Sequence, residues 1–77
     1  MEPIIGTIVL WAGQSLPRGW EYCNGQALSA ALNQALFAVI GVKFGGNIGA
    51  GQFQLPSLNK TAPPGTQWII AVSGEMP

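Results

Sequence analysis

A chain of 77 residues with a formal net charge of zero, 8% charged and 48% hydrophobic side chains, has little charge to spread over its surface. Its cations, Arg18, Lys43 and Lys60, are matched by Glu2, Glu21 and Glu75, so there is no basic patch for nucleic acid. With no His, no Asp, a lone Cys23 and scattered glutamates, the chain offers no nucleophile with its base, no carboxylate pair and no metal-ligand cluster; no catalytic residue, metal ligand or cofactor is assigned.

At this length residues 1–77 are expected to form one domain, burying about 60% of its unfolded surface and drawing roughly 3 to 5 kcal/mol from its own core. Residues 4–12 open the pattern as a β-branched and aromatic strand. Ile5, Thr7, Val9 and Trp11 lie on one face, with Ile4, Ile8 and Leu10 on the other. Both faces are largely apolar, which predicts that both are covered, the second by another subunit. Residues 13–19 read as a loop, from Gly13, Ser15, Pro17 and Gly19. Trp20-Glu21-Tyr22-Cys23 then alternates as a short strand, ended by Asn24-Gly25, a dipeptide suited to positive φ in a tight turn.

Residues 29–40 predict the helix. Leu32, Leu36, Val39 and Ile40 recur at i, i+4, i+7 and i+8, Phe37 widens the stripe, Ser29 or Asn33 can cap the start, and Gly41 stands past the end. The helix is too short and too interrupted by Ser29, Asn33 and Gln34 for the ~20 apolar residues of a membrane span, and its polar face lacks the cations of a lipid-surface helix. Gly45, Gly46, Asn47, Gly49 and Gly51 predict a permissive surface loop, and no Lys-Ser or Lys-Thr closes it as a phosphate-binding loop would require. A short strand at Phe53, a proline-rich connection and a last apolar strand from Trp68 complete an α+β fold. That fold is expected to be a small sheet of about four short strands, one packed helix and long glycine-rich loops.

The ordered series Pro17-Arg18-Gly19-Trp20, Cys23-Asn24-Gly25-Gln26, Asn33-Gln34-Ala35-Leu36-Phe37, Phe44-Gly45-Gly46 and Phe53-Gln54-Leu55-Pro56-Ser57-Leu58 resembles the phage tail collar domain. With Ile5-Gly6-Thr7-Ile8 before it and residues 68–74 after it, the resemblance spans nearly the whole chain. It implies a structural or receptor-facing part of a tail fibre, located in a virion tail or outside the cell; the start, Met1-Glu2-Pro3, shows no classical secretion signal. Members commonly carry Cys-Asp-Gly where this chain has Cys23-Asn24-Gly25, and an Asp and Arg where it has Ser57, Leu58, Asn59 and Lys60. Longer members also continue into a glycine-rich, histidine-containing insertion. Here Thr61-Ala62-Pro63-Pro64-Gly65 leads straight to the last strand, so a role residing in that insertion is not expected.

Low charge, zero net charge and small size favour association, so the leading expectation is a subunit that self-assembles into a homo-oligomer or filament. Apolar strands near both ends can complete a neighbour's sheet, which nominates Ile4, Ile5, Ile8, Leu10, Trp68 and Ile70 for self-assembly. The alternative is an adhesin that recognises cell-surface glycans, with Trp11 and Tyr22 as stacking residues because each borders a loop. Asn59-Lys60-Thr61 matches the glycosylation acceptor pattern, and Cys23 reads as a small buried hydrophobe.

Overall fold

The computed structural model describes residues 3–77. The fold is mixed α+β, with β1 (Ile8–Trp11), β2 (Trp20–Tyr22), β3 (Ala27–Ser29), α1 (Gln34–Ile40), β4 (Gly46–Asn47), β5 (Gln52–Gln54) and β6 (Gln67–Ala71) in chain order. Short 3-10 turns occupy Ile48–Ala50 and Asn59–Thr61. The expected sheet of about four strands is replaced by two antiparallel three-stranded sheets, ordered β1-β6-β2 and β3-β5-β4.

The Asn24-Gly25 turn explains the division. It does not close a hairpin, because β2 pairs with β6 while β3 pairs with β5. It carries the chain from one sheet to the other and is pinned on the way: Gly25 N–H donates to Pro56 O at 3.2 Å, Leu58 N–H donates to Cys23 O at 2.9 Å, and Asn24 bridges to Ser57.

The first strand is shorter than its composition predicts. Thr7 N–H donates to Ile4 O at 3.0 Å, which turns the chain at residues 5–6, and regular pairing begins only at Ile8. Before the turn Ile4 bridges to Glu75 and Ile5 N–H donates to Glu75 O at 2.8 Å, so the two terminal segments pair with each other.

The helix is also shorter than predicted. Residues 27–29 are held as β3 against β5, with Ser29 opposite Gln52, and only Gln34–Ile40 is helical. Asn33 stands at the N-cap, but its side chain donates to Ser29 O at 3.0 Å rather than capping. Leu32, assigned by periodicity to the apolar stripe, is 86% exposed in the turn before the helix. The loop expected at residues 45–51 is likewise ordered: Gly46–Asn47 pairs with β5, and Asn47 Oδ1 accepts from Ala50 N–H at 3.2 Å to start the 3-10 turn.

The core lies where the sheets and helix meet. Ile5, Cys23, Leu36, Phe53, Leu55 and Ile70 form one buried cluster, with Ile8, Phe37, Val39, Ile40, Trp68 and Val72 packed against it. The Phe37 and Phe53 rings meet at 5.3 Å in a tilted arrangement, placing α1 over the second sheet.

Candidate functional site

Directly paired residues of an antiparallel sheet share a face. In the first sheet, Ile8 and Ile70, and Leu10 and Trp68, therefore point toward the core side, where Ile70 belongs to the buried cluster. The opposite face carries Trp11 with Gln67, Val9 with Ile69 and Tyr22, and Trp20 with Ala71. Ile69 and Ala71 are buried in the middle of that face, while Trp11, Trp20 and Tyr22 remain half-buried around them. The two residues nominated for glycan stacking thus share one face with Trp20, on the two strands that flank β6, an arrangement that no local spacing could reveal. Trp20, placed between loop and turn by its sequence, is a half-buried member of this aromatic face.

Trp11 also has a structural duty. Its indole N–H donates to Ser15 O at 3.0 Å, and its ring lies against Gly13, where a Cβ would collide with it. The side chain holds down the loop that follows β1.

The residues nominated for self-assembly divide into three groups. Ile5 and Ile70 belong to the chain's own core, 4% and 0% exposed. Ile8 and Trp68 are half-buried and pack on that core. Ile4 and Leu10 are exposed, as is Val9 beside them. The last strand, β6, is the middle strand of its sheet, paired on both sides. Alternation and apolarity could nominate these strands but not say which would end at an edge.

Asn59 is tied into the fold by both ends of its amide. Nδ2 donates to Asn24 Oδ1 at 2.6 Å, and Oδ1 accepts from Trp68 N–H at 2.5 Å. The amide nitrogen that glycosylation would modify is therefore engaged in the folded chain. Sequence reasoning missed this link between the turn and β6, because its partners lie 35 and 9 residues away.

Burial pushes the Cys23 thiol up from 9.0 to about 11, holding it in the neutral, unreactive form. Among the described residues no group of three or more His, Cys, Asp or Glu is arranged to hold a metal, and no pocket forms. Among the described residues no helix is long and apolar enough to cross a membrane. The arrangement offers sheet edges and an aromatic face.

A family model described as Phage Tail Collar Domain matches residues 6–63. That span takes in β1 to β5 and α1 and stops before β6, the middle strand of the first sheet. No curated protein matches the chain.

Proposed function

The chain belongs to the phage tail collar domain family, and from that membership we propose that it is a non-enzymatic structural subunit that self-associates within a tail fibre or an extracellular filament. The family match over residues 6–63 carries this reading, since the family is one of phage tail structure and a virion location follows from it. Composition supports the finer part. A small domain with zero net charge and 8% charged residues lacks the self-repulsion that keeps copies apart, and Ile4, Val9, Leu10, Leu32, Ile48 and Met76 are all exposed. Sedimentation velocity from micromolar to hundred-micromolar concentration tests it: species heavier than the 8.1 kDa monomer are expected, and a lone monomer throughout would overturn it.

A second reading, an adhesin for cell-surface glycans, draws support from the shared face of Trp11, Trp20 and Tyr22. Aromatic rings stack on the apolar side of sugar rings, and this face presents three half-buried aromatic residues. Binding to a glycan array or to lipopolysaccharide, lost in Tyr22→Ala, would favour this reading; no binding would dismiss it.

A further inference from the structure

The two edges of the first sheet are not alike. Along an antiparallel strand, successive residues direct their main-chain groups alternately to one neighbour and the other. The phase here is given by Ala71 N–H, which donates to Thr7 O at 2.9 Å, and by Cys23 N–H, which donates to Trp68 O at 2.9 Å. Residues 67, 69 and 71 therefore face β1, and residues 68 and 70 face β2. By register, Val9 and Trp11 direct their groups at β6, and the N–H and C=O of Ile8 and Leu10 point out of the sheet.

On the other edge the outward residues are Trp20 and Tyr22, and the chain covers part of each itself. Trp20 N–H donates to Pro17 O at 3.3 Å, and Tyr22 O accepts from Gln26 Nε2 at 2.9 Å. Among the described residues no such partner reaches the outward groups of Ile8 and Leu10. Nor does β1 carry the usual guards of an edge strand: Ile8–Trp11 contains no charge and no Pro, and Val9 and Leu10 stand 37% and 42% exposed, one on each face.

We propose that β1 is where a second copy of this chain joins the sheet, β1 against β1 and antiparallel, with Ile8 of one copy opposite Leu10 of the other and the two Val9 residues facing across a two-fold axis. The proposal rests on the self-association reading above and names its interface. A second copy fits because the edge is complementary to itself: outward groups two residues apart, at Ile8 and Leu10, meet the same spacing reversed and form roughly four main-chain hydrogen bonds. The other edge strands are shorter, Trp20–Tyr22 and Ala27–Ser29 with three residues and Gly46–Asn47 with two. Pairing merges two three-stranded sheets into one continuous sheet and brings the exposed Leu10 onto Ile8 of the partner. Such a contact is isologous and closes at a dimer; a longer filament needs a second surface.

Cysteine cross-linking reads the register directly. Val9 would sit at a non-hydrogen-bonded position opposite its own copy, with Cα atoms about 4.5 Å apart, within disulfide range. Val9→Cys should oxidise to a covalent dimer at least tenfold faster than Leu32→Cys, a control far from the edge in sequence and more exposed, 86% against 37%, so that accessibility alone would favour the control. In parallel, Val9→Lys, which places like charges face to face, should weaken self-association at least tenfold in sedimentation while circular dichroism stays unchanged. Equal oxidation of the two cysteine variants, or undiminished association of a folded Val9→Lys, overturns the β1 pairing while leaving self-association standing. A wild-type chain that stays monomeric at every concentration overturns self-association itself.

Discussion

Leu32 and Leu36 lie one helical turn apart in the sequence pattern and have opposite fates. Leu36 is fully buried in the core, whereas Leu32 is 86% exposed in the preceding turn. Leu36→Ala should cost about 2 to 5 kcal/mol, comparable with the whole stability expected at this size, while Leu32→Ser should stay within about 0.5 kcal/mol of wild type in chemical denaturation. Cys23 gives a prediction in pH. Its thiol is raised by burial, so the folded state keeps a proton that the unfolded state has already released between pH 9.0 and about 11. In that window the unfolded state binds fewer protons, and stability falls as pH rises. Below pH 9.0 the thiol is neutral in both states and contributes no slope. Thermal unfolding of Cys23→Ala should therefore lose less stability across that window than wild type does. Asn59 acts as a surrogate strand: its Oδ1 receives the Trp68 N–H that β2 does not reach. Asn59→Ala leaves that donor without its acceptor and should cost about 1 to 3 kcal/mol in chemical denaturation.

At the scale of elements, α1 has seven residues, below the ~12 to 15 that an isolated helix needs in water. It exists because Leu36, Phe37 and Val39 pack on the core, and a peptide of residues 29–41 should show no helical circular dichroism by itself. The β4 strand depends instead on a missing side chain. At Gly46, with φ of 143°, a Cβ would lie 2.7 Å from Phe53 Cα and 2.8 Å from Gln52 O, both part of the paired strand. Backbone cannot yield as a flexible side chain can. Gly46→Ala should therefore cost at least about 1 to 3 kcal/mol and loosen the second sheet, read as faster amide exchange at Gln52 and Gln54.

For the whole molecule, the pairing of the two terminal segments changes what truncation would do. Removing residues 1–5 would delete Ile5 from the core along with its bond to Glu75 O, so the expected result is an unfolded chain rather than a dispersed folded monomer. Met1 and Glu2 lie outside the described residues, and the consequence follows from Ile4 and Ile5 alone. Refolding yield and tryptophan emission of the truncated chain check it. The interface is better probed by point changes at Val9, which is exposed and leaves the core intact.

Much was legible in local order. The α+β class, the helix over Leu36 and Phe37, the buried Cys23 and the collar resemblance rest on short motifs whose chemistry acts within a few residues: apolar periodicity, turn dipeptides and the absence of charge. The strand at Trp20 and the loop after Gly13 were legible for the same reason. What the chain alone left open was every matter of partnership. Asn24-Gly25 has the composition of a hairpin turn whether it returns the strand on itself or passes it to another sheet, and only the contacts with Pro56 and Ser57 decide. Residues 27–29 could have joined the helix, and pairing with β5 claimed them for a strand. The apolar strands at Ile8 and Trp68 look equally fit for a neighbour, but main-chain hydrogen bonding is satisfied pairwise across space. Tertiary structure therefore put β6 in the middle of its sheet and left β1 at the edge.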